Sequence, residues 1–426
     1  MWKSYLNLPR TVYLLCVGTI INRAGTFILP MLTIYLHKHL GLSEAFATTA
    51  MSAFGVGALV AASMGGHLAD VVGRRATMLI SLVGGAVVMV AFGYLHAPAS
   101  IIGAVFLLAV IAEMYRPAAS AMLTDVTPPE RRADAFGLMY VSINLGAAIG
   151  PALAGYLFVR INPQWLFYGD AATTLLYAGL IALTIRETLP GRTRHSSDQE
   201  GAPVEHPKPT MGLKAAASHM LRDAPFVLFC LATLAMTIVY IQAMTTLPLY
   251  LQQYGLDADR YGSLVAVNGL MICTLQVFLT AIVGRWNRWV VLAISPLFVG
   301  LGFGLTGVVA SYAGFVLTVV IWTVGEMMFA AVGPAIVGEF APVHMRGRYM
   351  GAFGICFSGG NALGAPIGGW LLADYGGGVL WAACAAACGL SSVMYLALYY
   401  RVRATNAVSI DSPSRTAIGS GEPDQR

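Results

Sequence analysis

The sequence has 426 residues, of which 57% are hydrophobic and only 11% are charged, and its mean hydropathy is +0.71. These values exclude a soluble globular protein. The formal charge of +5 therefore matters through its distribution across a membrane rather than as a surface for nucleic acid. The chain is predicted to be an all-α membrane protein that lies in the lipid bilayer and binds no nucleic acid.

Twelve apolar spans are predicted, six before a polar central stretch and six after it. Each is long enough to cross a bilayer, which takes about 20 helical residues. The segment from Met1 to Arg10 leads directly into the first span without a small-residue cleavage site, so we expect this span to be retained. The predicted spans are residues 11–36, 45–69, 76–95, 99–124, 134–158, 164–185, 224–253, 260–283, 289–309, 312–338, 347–373 and 378–400.

The polar stretch divides the chain into four predicted segments. They are an N-terminal six-helix bundle (1–186), a cytoplasmic linker whose end can form an interfacial helix (187–223), a C-terminal six-helix bundle (224–403) and a disordered cytoplasmic tail (404–426). Twenty of the 25 Lys and Arg residues fall on the side of the membrane that holds both termini, and three fall on the other side. This bias predicts that both termini are cytoplasmic.

A short polar loop joins the second and third spans. Its pattern is G-x-L-A-D-x-x-G-R-R, with Gly66, Asp70, Gly73, Arg74 and Arg75 at the specified positions. Position for position, it resembles the loop between the second and third helices of the major facilitator superfamily of secondary transporters. The resemblance implies two pseudo-symmetric six-helix bundles around a central cavity and gives this loop the role of a cytoplasmic gate. Asp70 would cap a facing helix N-terminus, and Arg74 would pair with a carboxylate such as Asp125.

The two halves of the chain repeat one another. Ala135-Phe136-Gly137 and Asn144 in the fifth span recur 217 positions later as Ala352-Phe353-Gly354 and Asn361 in the eleventh. The fifth span continues with Gly146, Gly150, Pro151 and Gly155, a pattern that is associated with exporters in the resembled superfamily. Close packing between the two halves explains the same small residues equally well.

Four ionisable residues lie midway along predicted spans, where charges are expensive and usually functional. Glu113 and Arg116 are neighbours on one helix face, so a local ion pair accounts for both. Arg23 and Glu326 have no such neighbour. Glu326 either pairs with a cation of the first half or is protonated, because burial favours the uncharged form of a carboxyl. Asp170, nearer a span end, is expected to be structural and satisfied by backbone groups or hydroxyls.

The surroundings of Glu326 extend the resemblance. The run Thr323-Val324-Gly325-Glu326-Met327-Met328, followed by Ala341-Pro342, is similar to the tenth span of bacterial proton-coupled multidrug exporters. That similarity implies membrane carboxylates for proton coupling at Asp70, Asp125 and Glu326. The run Asn22-Arg23-Ala24-Gly25 is similar to the first span of proton-coupled oligopeptide transporters, which implies that Arg23 and Glu326 face one cavity.

The predicted function is drug/proton antiport that exports small apolar or cationic molecules by alternating access. Proton coupling is assigned to Glu326, Glu113 and Asp125. An importer of peptides or other polar metabolites is the alternative, and a membrane-embedded enzyme lacks any visible cluster of catalytic residues. No metal or cofactor is expected, and the protein is predicted to be a monomer in the bacterial inner membrane. The predicted substrate-binding residues are Arg23, Arg116, Glu326, Asn22, Tyr115, Tyr240, Gln242 and Asn268, with Gln276 as a further polar residue of the cavity.

Overall fold

The computed structural model describes residues 7–189, 213–342 and 345–410. The described residues form helices and turns, with no strand. In the first half, a short π-helical turn (Tyr35–His39) follows α2, and a 3-10 turn (Pro129–Arg131) precedes α7. The helices of this half are α1 (Arg10–Ala24), α2 (Ile28–Ile34), α3 (Glu44–Val71), α4 (Arg74–Phe92), α5 (Pro98–Glu113), α6 (Tyr115–Val126), α7 (Arg132–Arg160) and α8 (Gln164–Thr184).

The second half begins with a short amphipathic helix and continues with long apolar ones. Most of the predicted linker, residues 190–212, lies outside the described residues. The helices of this half are α9 (Leu213–Arg222), α10 (Ala224–Tyr240), α11 (Gln242–Thr245), α12 (Leu247–Gln252), α13 (Ala258–Val283), α14 (Arg288–Thr306), α15 (Tyr312–Phe340) and α16 (Arg346–Ile410).

Within the described residues, eleven helical segments are long and apolar enough to cross a bilayer. The last of them runs over 54 residues, Arg348–Arg401, which at 1.5 Å per residue is far longer than a bilayer is thick. Helix α16 is interrupted at Gly376, where φ is 79° and ψ is 171°. This left-handed conformation suits glycine, and the predicted spans 347–373 and 378–400 lie on either side of it.

Two predicted segment boundaries need correction. Helix α16 continues to Ile410, so the predicted disordered tail does not begin at residue 404. Residues 411–426 lie outside the described part of the chain. Glu187 was placed at the start of the linker, but its carboxylate binds the first turn of α4, so it belongs to the N-terminal bundle.

Three membrane-crossing segments are broken in their middle, which the sequence analysis did not predict. The chain leaves helical geometry between α1 and α2, between α5 and α6, and around α11. At the first break, the Asp170 carboxylate of α8 accepts the N–H groups of Phe27 (3.1 Å) and Ile28 (3.2 Å). Asp170 thus supplies acceptors for the N–H groups that open α2, as its predicted structural role requires.

Among the described residues, the two halves meet mainly along two pairs of helices, α3 with α16 and α7 with α13, with smaller contacts of α2. Small residues make the approach possible, because a Cβ added at Gly155 would lie 2.3 Å from the Ala258 carbonyl oxygen. The contact of Gly369 with Thr48 is similarly close. An ion pair between Lys38 and Asp257 also joins the halves. We call this end of the bundle the Lys38 end, and the opposite end, which carries Arg74 and Arg288, the basic end.

Candidate functional site: a cavity between the two halves

A cavity of about 400 Å³ lies between the two halves. This volume is in the range of sites that hold drug-sized ligands. Its walls combine four charged side chains with uncharged polar and aromatic ones, and helices of both halves contribute. The charged and polar residues that line it are Arg23, Thr26, Glu113, Arg116, Asn144, Asn268, Glu326, Ser358 and Asn361, and the aromatic ones are Phe54, Tyr240, Trp322 and Phe357.

Glu326 projects from the middle of α15 into this cavity. Its carboxylate accepts hydrogen bonds from the Tyr240 hydroxyl (2.5 Å) and from the Asn268 side-chain amide (2.8 Å). Asn268 is held in turn by a bond to the Thr323 hydroxyl. Both donors are uncharged and belong to the C-terminal half, and no cation among the described residues forms an ion pair with Glu326. The prediction that Glu326 and Arg23 line one cavity is confirmed, but the two groups are not paired.

Glu113 and Arg116 form the local ion pair that their spacing allows. The distance between Arg116 Nε and Glu113 Oε2 is 2.7 Å. They lie on either side of the break between α5 and α6, where Pro117 cannot donate a backbone hydrogen bond. The Glu113 side chain is 16% exposed and that of Arg116 is 64% exposed. The pair therefore carries no net charge, and its cationic member is the more exposed of the two.

Arg23 occupies the last turn of α1, and its guanidinium makes no hydrogen bond or ion pair with the residues that the structure describes. Glu113, Arg116 and Asp170 are close enough for their charges to act on it. Its stem packs against α7, where a Cβ at Gly146 would lie 2.5 Å from the Arg23 Cβ. The side chain is thus packed at its base, and its charged end meets no acceptor among the described residues.

A second, smaller cavity of about 80 Å³ lies within the N-terminal half. Arg23 and Glu113 line both cavities, whereas the predicted substrate residues Asn22 and Tyr115 line only the smaller one. Asn22 donates to the Thr174 hydroxyl (2.9 Å). The Tyr115 hydroxyl lies 2.5 Å from that of Tyr177. These two residues therefore border the space behind Arg23 rather than the space between the halves.

The assignment of Gln242 to the cavity was wrong. Its side chain is only 2% exposed and does not line the cavity. The amide nitrogen donates to the carbonyl oxygens of Ile238 (2.8 Å) and Gly364 (2.7 Å), and the amide oxygen accepts the hydroxyls of Thr245 and Thr246. Gln242 satisfies backbone groups at the break between α10 and α11. Gln276 likewise lies outside the cavity and donates to the Met327 carbonyl oxygen.

The loop at the basic end is organised around Arg74. Gly73 turns the chain with φ 120°, and Arg74 then begins α4. The Arg74 guanidinium bonds to Asp125 (3.0 Å) and lies 3.4 Å from Asp70. The predicted pair of Arg74 with Asp125 is confirmed, and it places Asp125 away from the cavity-lining residues. Asp70 is 73% exposed, and among the described residues its partner is Arg74 of the same loop rather than a facing helix.

An acidic residue from the segment after α8 contacts the same loop, and the sequence did not indicate this contact. The Glu187 carboxylate accepts the N–H groups of Arg74 (2.8 Å) and Ala76 (3.4 Å) at the start of α4. A Cβ at Gly73 would lie 2.3 Å from this carboxylate. The sequence signal was an acid directly after the sixth span, where an exposed linker was expected instead.

The internal repeat extends to this network. Arg288 at the start of α14 pairs with Glu339 near the end of α15, and both residues lie 214 positions after Arg74 and Asp125. Each half thus fastens its third and fourth membrane segments with an Arg–carboxylate pair at the basic end. The family model of the Major Facilitator Superfamily matches residues 15–331 and 315–418 of the chain. The chain belongs to the Major Facilitator Superfamily. It is a multi-pass membrane transporter of small molecules, not an enzyme.

Similar members of the superfamily include transporters of different substrates. A Na(+), Li(+), K(+)/H(+) antiporter of Planococcus maritimus is 24% identical over 408 residues, which cover 89% of this chain and 93% of that protein. The quinolone resistance protein NorA of Staphylococcus aureus (strain MRSA252) is 28% identical over 149 residues, 35% of this chain and 38% of that protein. A crystal structure of the peptide transporter POT in complex with sulfate has a TM-score of 0.75 at 17% identity, covering 92% of this chain and 95% of that chain.

In this superfamily member, the glycine-rich run of α7 packs in two directions. Gly146 and Gly150 face the backbone of α1, where a Cβ at Gly150 would lie 2.8 Å from the Arg23 carbonyl oxygen. Gly155 faces α13 of the other half, and so does the Pro151 carbonyl, which a Cβ at Gly262 would approach to 2.2 Å. Close packing between the two halves is confirmed for Gly155 and Pro151, whereas Gly146 and Gly150 pack within the N-terminal half. Its association with export stays a prediction.

Proposed function

We propose that this protein is a proton-coupled antiporter that exports small amphipathic molecules by alternating access. The observation that carries the proposal is the position of Glu326 in the wall of the central cavity, where its hydrogen-bond donors among the described residues are the uncharged Tyr240 and Asn268. A carboxyl in such a site can hold either a proton or a cationic group of a ligand. Competition between the two would couple proton entry to substrate exit. The antiporter of Planococcus maritimus gives this direction of coupling further support.

The contacts between the halves support a conformation that is open at the basic end. Gly155 with Ala258, Gly369 with Thr48, and the pair Lys38–Asp257 all close the Lys38 end. We assign the basic end to the cytoplasm because it carries most of the Lys and Arg residues, with both termini on that side of the bacterial inner membrane. The structure would then be the state that accepts substrate from the cell.

The remaining predicted residues serve either the substrate site or the cytoplasmic gate. Arg23 and Arg116 position the substrate, with Glu113 as a secondary acid. Asp70, Arg74 and Arg75, at a turn that Gly66 and Gly73 permit, close the cytoplasmic face in the other state, and Asp125 holds Arg74. A monomer in the bilayer suffices for this cycle. One proton that moves down 100 mV releases about 2.3 kcal/mol, which supports roughly a fiftyfold gradient of a neutral substrate.

A second candidate function is proton-coupled import of peptides or other polar metabolites. The observation that favours it is the shared cavity of Arg23 and Glu326, together with the similar fold of a peptide transporter. The direction of accumulation distinguishes the two functions.

The test uses everted and right-side-out membrane vesicles with an imposed pH gradient. We expect everted vesicles with an acidic lumen to accumulate the apolar cation ethidium or the fluoroquinolone norfloxacin. The Glu326→Gln variant should lose this proton-driven accumulation but still bind ligand, whereas Asp374→Asn, at an exposed position, should behave as wild type. Accumulation of a dipeptide in right-side-out vesicles would favour import. Wild-type rates and pH dependence in Glu326→Gln would refute the role of Glu326.

A further inference from the structure

We propose that the substrates of the central cavity are zwitterions with an apolar body, whose anionic group binds Arg23 and whose cationic group binds Glu326. This inference rests on the proposed function and narrows its substrate class. It begins from two opposite charges that face one cavity from different halves of the protein without being paired with each other.

Arg23 is the group that would bind the anionic end of a ligand. An Arg side chain presents five N–H donors in a planar fork that matches a carboxylate. Arg116, the neighbouring cation, is already neutralised by Glu113 at 2.7 Å. Among the described residues, Arg23 has no acceptor of its own. An anionic group of a ligand would supply this acceptor and could take two parallel hydrogen bonds from the guanidinium.

Glu326 is the group that would bind the cationic end of a ligand. Its two oxygens offer about four lone-pair positions, of which Tyr240 and Asn268 use two. These donors fix the direction of the carboxylate but carry no charge. A ligand ammonium or a proton can therefore neutralise it, and only one of them can do so at a time. The ligand's cationic group is in this way the part of the molecule that competes with the proton.

Aromatic side chains line the cavity that both charged groups face. Phe54 of the first half and Trp322 and Phe357 of the second half line the same cavity. A zwitterion that binds both residues across the cavity brings no net charge and leaves neither Arg23 nor Glu326 unpaired. A simple cation would leave Arg23 without an acceptor, and a simple anion would face an ionised Glu326. The geometry thus favours a molecule with both charges over either singly charged relative.

The experiment measures binding of three probes that differ only in charge to the purified full-length protein in nanodiscs. Norfloxacin carries a carboxylate and an ammonium on an aromatic body, its methyl ester keeps only the ammonium, and its N-acetyl derivative keeps only the carboxylate. Intrinsic probe fluorescence reports affinity. We expect wild type to bind norfloxacin about tenfold or more tightly than either derivative, the factor that one charge-assisted hydrogen-bonded pair supplies.

The variants assign each charge to its residue. Arg23→Gln should reduce norfloxacin affinity to that of the ester while ester binding is unchanged, and Glu326→Gln should reduce it to that of the N-acetyl derivative. Arg160→Gln, at an exposed position at the end of α7, is the matched control and should leave all three affinities unchanged. Equal affinity for the three probes, undetectable norfloxacin binding, or loss of discrimination in the control would overturn the inference.

The vesicle experiment separates this result from the fate of the proposed function. Proton-driven export of ethidium together with equal binding of the three probes would refute the zwitterion class and leave the antiporter standing. Charge-selective binding without any proton-driven transport would support the substrate class and refute the antiporter.

Discussion

Asp170 has an unusual place for a carboxylate, since it lies within the apolar helix α8 and is only 2% exposed. Its acceptors are used by the N–H groups of Phe27 and Ile28, which open α2 after the break in the first membrane segment. The residue before that break is Ala24, next to Arg23. Asp170 therefore stabilises the bend that presents Arg23 to the cavity, although it does not line the cavity between the halves.

Replacing Asp170 by Ala should destabilise the protein strongly. Two buried N–H groups would lose their acceptor, and each such group costs about 1–3 kcal/mol. We expect the unfolding temperature in detergent to fall by about 2–6 °C, since 1 kcal/mol corresponds to about 1 °C in a chain of this length. Asp374→Ala, which removes an exposed carboxylate, is the control and should change the temperature by less than about 1 °C. Similar unfolding temperatures for both variants would contradict a structural role for Asp170.

At the scale of elements, the segment after α8 is a cap for α4. Burial raises the pKa of Glu187, but four backbone N–H donors outweigh burial and hold the pKa below its ordinary value of 4.5. A carboxylate at a helix N-terminus is also favoured by the helix dipole. Because α4 carries Arg74 in its first turn, this cap positions the Arg74–Asp125 pair.

The lowered pKa of Glu187 predicts a pH-dependent contribution to stability. A group whose pKa is lower in the folded state stabilises it above the unfolded pKa, and this contribution is lost as the pH falls through the folded pKa. Glu187→Gln should therefore lower the unfolding temperature at pH 7 by about 1 °C, since a partly exposed carboxylate at a helix N-terminus contributes about 0.3–1 kcal/mol. The difference from wild type should shrink below about pH 4.5. A difference that is constant from pH 7 to pH 4 would exclude this explanation.

Sequence patterns predicted elements better than they predicted breaks in elements. The apolar runs located the membrane segments to within a few residues, because span length and hydropathy are local properties. The breaks depend on hydrogen-bond partners that are distant in the sequence. Asp170 accepts the Phe27 N–H from 143 positions away, and Gln242 donates to the Gly364 carbonyl oxygen 122 positions away. Gln242 was mistaken for a cavity residue for that reason, because a polar residue in an apolar span can serve a ligand or a backbone break equally.

The candidate site was predictable in its charges and not in their partners. The rarity of mid-membrane charges identified Arg23, Glu113, Arg116 and Glu326, and all four line the cavity. Spacing alone predicted the Glu113–Arg116 pair, since its members are three residues apart on the chain. The donors to Glu326 come from α10 and α13, and no local pattern indicates which polar residues of distant helices will meet.

At the scale of the whole molecule, the halves are joined at the Lys38 end by close backbone packing and by the pair Lys38–Asp257. Both side chains of this pair are about half exposed, so the pair is worth at most about 1 kcal/mol. That energy is still enough to shift a balance between two conformations about fivefold. In an alternating-access cycle, the pair must break whenever the Lys38 end opens, so it should favour the present conformation.

Breaking the pair should therefore shift the protein toward the state that is open at the Lys38 end. Spin labels at Ala45 and Gln253, in a variant without the six native cysteines, report the separation of the halves there by pulsed electron paramagnetic resonance. Lys38→Gln or Asp257→Asn should each increase the long-distance population severalfold. The charge-swapped double variant, Lys38→Asp with Asp257→Lys, should return the distribution toward wild type, because attraction between the two ends depends only on their opposite signs. If the single variants keep the wild-type distribution, the small residues that join α3 to α16 and α7 to α13 hold the Lys38 end closed without help from this pair.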